Sequence, residues 1–362
     1  CSSDLVDPIF GNLEDFAALL EAAHAGGLKL MIDWVPAHSS SEHPWFVDAR
    51  ASRQSDRRNW YVWRDAGPGG ELPNNWKCAF SDAPAWTFDA GSGQYYLHSF
   101  LAEQPDLNWE EPKVEAAMHE VLRFWLERGV DGFRADVISN IGKDPALASV
   151  EEARAKVPPF VFRNEPVTHE YLRRIRALLD TWPGDRAMVG EIPVFDSKEV
   201  ATFYGAGDEL HMAFNFPPLY APFEAPAWRE RIEVTTGALD PRDAWPTWVL
   251  SNHDTVRHAP RDGPPDPGRA PGREGGPVAS GAAEADGHGV ARAVDVLELL
   301  ARCRYPRAPR HRRRWSGQYL LRASEFFRNM ERSRAPGLCM RRFAAVDRQL
   351  FHALFSFFRY RS

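Results

Sequence analysis

Asp33, His38, Arg134, Asp136, Glu191, His253 and Asp254 have one thing in common. Each stands at or just past the C-terminal end of an apolar run that reads as a strand. Arg134 and Asp136 are two residues apart, so on a strand both side chains point to one face. Holding such a pair inside a sheet is costly unless it lines a polar site. For a single acid the plain reading, a helix cap or a solvated loop residue, is favoured. That reading weakens when four successive strand ends each carry an ionisable group. Carboxylates on separate strands (Asp136, Glu191), a third (Asp254), an arginine and two histidines are the equipment of glycoside hydrolysis. One carboxylate attacks the anomeric carbon; the other protonates the leaving oxygen and later activates water. Arg134 keeps Asp136 ionised, hence nucleophilic. Glu191 must hold a proton at neutral pH, which calls for apolar walls and nearby negative charge to raise its pKa.

The elements that must position these groups alternate along the chain. Residues 12–26 read as a helix capped by Asn12, with Leu13, Phe16, Leu19, Leu20 and Ala23 at helical spacing and Gly26-Gly27 as its stop. Residues 28–35 follow as a buried strand. After a long interruption come a helix over 112–128 with proline in its first turn, a strand over 129–137, a helix over 165–182 and a strand over 187–192. A short helix over 198–204, a strand over 210–216, a helix within 228–236 and a strand beginning at 248 complete the series. Such repetition predicts a parallel sheet with helical crossovers, and in a parallel α/β barrel the C-terminal strand ends hold the active site. The interruption, residues 39–108, is rich in Trp, Pro, Asn, Asp and Gly and too long for a plain connection, so it reads as an inserted irregular subdomain. Trp34, Trp45, Trp60, Trp63, Trp76 and Trp86 suit stacking on sugar faces and equally suit subdomain packing; packing is expected for most of them.

The motifs resemble those of the alpha-amylase family, glycoside hydrolase family 13. Asp33-Trp34-Val35-Pro36-Ala37-His38 resembles its first motif and Gly132-Phe133-Arg134-Ala135-Asp136 its second. Gly190-Glu191 resembles the third and Ser251-Asn252-His253-Asp254 the fourth. Gln104-Pro105-Asp106-Leu107-Asn108 is similar to a motif of the α-glucosidase and oligo-1,6-glucosidase branch. The resemblance runs from about Asp7 to Arg257. It implies a (β/α)8 TIM barrel, here incomplete with about five of eight strands, carrying an inserted domain B after the third family strand. Residues 1–38 and 109–259 are then the partial catalytic barrel and 39–108 domain B. The resemblance makes Asp136 the nucleophile, Glu191 the acid/base and Asp254 the transition-state stabiliser. Arg134 stands at the invariant arginine, and His38 and His253, with Asp33, face the substrate. Retention of anomeric configuration implies carboxylates about 5 to 5.5 Å apart. Val137 leans towards α-1,6 linkages, whereas the surroundings of Glu191 and Tyr204-Gly205 look like general α-glucosidases. The expected activity is therefore an exo-acting retaining α-glucosidase. An oligo-1,6-glucosidase, a sucrose- or trehalose-active transglycosylase, and a non-catalytic amylase-like binding protein are the alternatives. Ala37 stands where the family usually has Asn, which predicts a looser hold on His38.

The net charge of −6 divides unevenly. Up to Pro260 there are 24 Lys and Arg against 40 acids; from Arg261 onward there are 20 Arg, no Lys and 10 acids. Residues 260–290 hold 6 Pro and 8 Gly, and no pattern for a further barrel strand follows. Residues 260–362 are therefore expected to be an out-of-frame or disordered tail, and residues 1–5 and the absent first family strands point to N-terminal truncation. Two open sheet edges predict poor folding of this polypeptide. The acidic first part argues against a nucleic-acid partner. No apolar run is long enough to span a membrane, and no signal peptide pattern is visible. The four cysteines lack paired spacing, which argues against zinc or disulfides and for a reduced, cytoplasmic setting. No metal or cofactor is expected, and the expected partner is a small α-glucoside or oligosaccharide.

Overall fold

The computed structural model describes residues 6–79, 81–150, 164–221, 225–249 and 253–254. They fall into two units, one of residues 6–217 and 232–247, the other of the remainder. The expectations for residues 1–5, for Leu250 to Asn252 and for the tail from 260 lie outside the described residues.

The first unit opens with helix Leu13–Ala25. The Asn12 side chain accepts from the Glu14 and Asp15 backbone N–H groups, while Asp15 accepts from the Asn12 N–H. This reciprocal cap satisfies donors that the first turn leaves free. Phe16 and Leu20, four residues apart, are the buried stripe. Strand β1, Met31–Trp34, follows. Helix Pro112–Glu127 buries Val114, Met118, Val121, Leu122, Trp125 and Leu126, one face of a 3.6-residue period. The later strands of this sheet are β5 (Gly132–Ala135), β6 (Ala187–Gly190), β7 (Met212–Asn215) and β8 (Thr247–Trp248). Helices Pro166–Asp180 and Ser197–Thr202 connect them. Helix Ala225–Leu239 precedes β8.

The sheet order is β1-β5-β6-β7-β8, with β1, β5, β6 and β7 paired in parallel. Five strands in this order fit part of a (β/α)8 barrel. Asp33 lies opposite Arg134, and Arg134 opposite Val189. Strands β1, β5, β6 and β7 are each shorter than the apolar run that predicts them. Hydrophobicity marks what is buried, whereas a ladder also needs a partner in register. Thus Leu30 is buried and its amide bonds the Asp131 carboxylate, one residue before β1 begins.

Residues 39–108 are more regular than their composition suggests. Strands β2 (Trp63–Asp65), β3 (Trp86–Asp89) and β4 (Gln94–Leu97) form an antiparallel sheet of order β2-β4-β3. Runs of three or four residues are too short for periodicity to reveal them. Phe46, on helix Pro44–Ala51, stacks on Trp63 and meets Tyr61 and Tyr96 edge-on. The chain leaves and returns at one place: Ser39 N–H donates to Pro105 and Leu107 N–H to Ala37. A separate apolar cluster joins Val62, Trp76, Ala85, Trp86 and Leu97 to Leu147, which lies beyond β5.

Candidate active site

The parallel register places the polar groups. Asp33 and Arg134 are direct neighbours on β1 and β5, and Asp136 follows Arg134 on the same face. Beyond the ladder two further bonds extend the sheet: Asp136 N–H donates to Trp34 and Glu191 N–H to Ala135. Arg134 is the hub. Its Nη1 donates to Asp33 Oδ1 (2.9 Å) and Asp136 Oδ1 (2.6 Å), and its Nη2 to Glu191 Oε2 (2.7 Å). The four side chains are 10–24% exposed. Burial works against the guanidinium charge, but Glu191, then Asp136 and Asp33, more than offset it and hold Arg134 protonated beyond the ordinary arginine range. Desolvated charge-assisted bonds of this kind are stronger than neutral ones.

The turn after β5 is strained. Val137 has φ +40°, left-handed backbone that a β-branched side chain avoids. Its amide thereby reaches Glu191 Oε2 at 3.3 Å. On the other side, Gly190 has no room for a side chain: a Cβ there would stand 2.4 Å from Leu210 and 2.9 Å from Ile138. The residue before Glu191 is therefore small because Leu210, and Ile138 from the turn after Asp136, press against it.

His38 is buried. Its Nε2 lies 3.1 Å from the Gln104 amide and its ring 5.1 Å from Phe100, which hold it although Ala37 offers no side-chain partner. With the Gln104 NH2 as donor, Nε2 accepts and the proton sits on Nδ1. Burial lowers the His38 pKa, and Lys143 does too; Asp136 and Asp106 oppose them without reversing the sign. The ring is thus neutral near pH 7. Behind it lies a pair that sequence reasoning missed. Lys143, buried, donates to Asn140 O (3.0 Å) and pairs with Asp106 (3.3 Å), whose oxygens also accept from Ser99 N–H and Oγ. A lysine eight residues past an apolar strand has no sequence signal beyond its nearness to Asp136. Gln104 was visible only as part of a motif.

In one unit, then, the fold gathers Asp33, His38, Arg134, Asp136 and Glu191. His253 and Asp254 belong to the other, where His253 Nε2 and Asp254 Oδ2 are 3.5 Å apart and both side chains are about half exposed. Of the tryptophans, Trp34, Trp63, Trp76 and Trp86 are buried, and Trp45 and Trp60 meet edge-on at 4.7 Å, so these rings serve packing. Among the described residues no His, Cys, Asp and Glu group could hold a metal ion, and no helix is long and apolar enough to cross a membrane.

Residues 3–265 match the family model for the alpha amylase catalytic domain. The chain is 43% identical over 275 residues to a probable alpha-glucosidase of Rhizobium meliloti, covering 71% of this chain and 49% of that protein. It is 37% identical over 276 residues to an oligo-1,6-glucosidase of Parageobacillus thermoglucosidasius, covering 72% and 48%. Among solved structures, an alpha-glucosyl transfer enzyme superposes with a TM-score of 0.65 at 38% identity, covering 72% of this chain and 51% of that one. The chain spans about half the length of the curated relatives it matches. With the family model matched over most of the chain and the charged strand ends drawn to one arginine, this protein belongs to the alpha-amylase family.

Proposed function

We propose that the protein is a retaining, exo-acting α-glucosidase that removes terminal α-linked glucose from maltose or isomalto-oligosaccharides in the cytoplasm. The observation that carries this reading is Arg134 joining Asp136 and Glu191, on adjacent strands, in one largely buried site. Asp136 attacks: its oxygen bonds to the anomeric carbon as the glycosidic C–O bond breaks, and the proton of Glu191 passes to the departing oxygen. Water then gives its proton to Glu191 as its oxygen bonds to the same carbon and the bond to Asp136 breaks. For this cycle Glu191 exchanges its Arg134 contact for the glycosidic oxygen. Arg134 orients the Asp136 carboxylate for attack through its 2.6 Å bond, and Asp33 acts by orienting Arg134. His38 and His253 bind sugar hydroxyls and Asp254 stabilises positive charge at the ring. Residues 39–108 serve as domain B on the barrel formed by 1–38 and 109–259.

A second reading replaces water with a sugar hydroxyl in the second step. It is favoured by the resemblance to an alpha-glucosyl transfer enzyme. Product analysis with maltose alone separates the two, since transfer yields a trisaccharide. The common first step is tested by trapping. A 5-fluoroglucosyl fluoride of α configuration should add one fluoroglucosyl group to the protein, and peptide mapping should place it on Asp136. A label elsewhere, or none, overturns the proposal.

A further inference from the structure

The segment that follows the nucleophile strand ends inside the core of the insertion. Residues 137–142 are buried at the site: Val137 donates to Glu191, and Ile138, Ser139, Asn140 and Ile141 follow it in a tight turn. Residues 147–150 are fastened to the insertion instead. Leu147 (φ +47°) completes the apolar cluster of Val62, Trp76, Trp86 and Leu97. Asn74 Nδ2 donates to Leu147 O (2.8 Å) and Trp76 Nε1 to Ala148 O (3.0 Å). Asn75 closes a ring with Val150, donating to its carbonyl (2.7 Å) and accepting from its amide (3.0 Å). Midway, Lys143 pairs with Asp106, whose neighbours in the chain hold His38. Both ends of the segment carry non-glycine residues at positive φ. Such residues persist only where surrounding contacts over-determine them.

We infer that Asn74, Asn75 and Trp76 are positioning residues for catalysis: by gripping residues 147–150, the insertion holds the strained turn at Val137, and with it Asp136 and Glu191, in the reactive pose. The inference rests on the proposed glucosidase reaction for its kinetic part only. The grip has four hydrogen bonds and one buried leucine, while the turn it steadies makes one 3.3 Å bond to Glu191. Energy stored at the turn is therefore supplied from the far end of the segment.

Asn75→Ala tests this. Asn75 is only partly buried and outside the catalytic set, so the variant should fold; Trp76→Phe, which keeps the ring and removes the N–H donor, is the second variant. Amide hydrogen exchange on the full chain should quicken about tenfold across residues 137–150 as two hydrogen bonds are lost, while helix Pro112–Glu127 keeps its rate. Trapping of Asp136 by the 5-fluoroglucosyl fluoride should slow by a similar factor, with the concentration for half-maximal rate unchanged. Faster exchange confined to 147–150, or faster exchange at 137–142 with an unaltered trapping rate, overturns the inference. If the parent chain is not trapped at all, the glucosidase reading fails, and the exchange pattern alone still decides whether the insertion controls the turn.

Discussion

The same three strands carry a charge cluster at each end, and the two are inverted images. At the C-terminal end one arginine, Arg134, is bound by Asp33, Asp136 and Glu191. At the N-terminal end one buried carboxylate, Asp131, is bound by His24 (2.6 Å), Lys29 (2.7 Å) and Arg186 (3.5 Å), with the Leu30 amide at 2.9 Å. Asp131 precedes β5, Lys29 and Leu30 precede β1 and Arg186 precedes β6, the strands whose other ends carry the Arg134 cluster, while His24 comes from helix Leu13–Ala25. Burial raises the Asp131 pKa, but the bonds from Lys29, Leu30 and His24 outweigh it and hold the group below the ordinary carboxylate range. Asp131 is fully satisfied and out of water, a staple. The upper cluster instead holds three acids against one base. Conserving charge pairs at the bottom of a parallel barrel for stability and exposing reactive groups at the top is the division expected of such folds.

The sharpest way to break this comparison is at the hubs. Arg134→Met should slow Asp136 trapping roughly a thousandfold, the scale of removing a preorganised donor from a dry site. The fold should survive, since like charges at the rim of a site can take up protons. An activity within tenfold of the parent would show that Arg134 does not govern the nucleophile. Glu191→Gln should slow reaction about a hundredfold or more on substrates with poor leaving groups and much less on aryl α-glucosides, whose leaving group needs no proton. Equal losses on both would remove Glu191 from the acid role. Asp131→Asn should do the opposite: about 2 kcal/mol of stability lost, read from denaturant midpoints, with trapping per folded molecule unchanged. Its cations are partly exposed and can turn to water, which keeps the loss below that of a fully buried pair.

The smallest effect expected concerns pH. Burial, the leading cause, lowers the pKa of His38 and of His119 below the ordinary histidine value of about 6.5. On acidification the unfolded chain therefore binds protons from about pH 6.5 downwards while the folded chain does not, and stability falls through that window until the folded groups also titrate. His38→Gln should flatten the curve between about pH 6.5 and 5. Asp131, also shifted downward but from the carboxylate range, loses its contribution only as pH falls below about 4. A midpoint that is independent of pH between 7 and 5 in the parent protein would contradict the neutral, buried state of His38.

Much of this molecule can be read along the chain. Helix Leu13–Ala25 has its cap, its stripe and its stop in sequence; helix Pro112–Glu127 has its proline and its period. Arg134 and Asp136 share a face because strands have a period of two, and their bond at 2.6 Å follows from that alone. Less legible were the three strands of residues 39–108, where Trp63 and Tyr96 on paired strands pack with Phe46 of helix Pro44–Ala51, contacts that no local pattern announces. Lys143 and Asp106, 37 positions apart, and Asn75 and Val150, 75 apart, had no sequence signal as pairs, because spacing codes only for neighbours on one element.

The types and order of the reactive groups were written in the linear chain: which strand ends carry acids, that one arginine sits two residues before one of them, and that a histidine follows the first strand. Their convergence was a matter of three dimensions. Parallel register set Asp33 beside Arg134, and the extension past Ala135 set Glu191 within reach of the same guanidinium. The left-handed backbone of Val137 and the packing of Leu147 into a distant core are strained or non-local choices, each adopted because contacts made elsewhere in the fold outweigh the local preference.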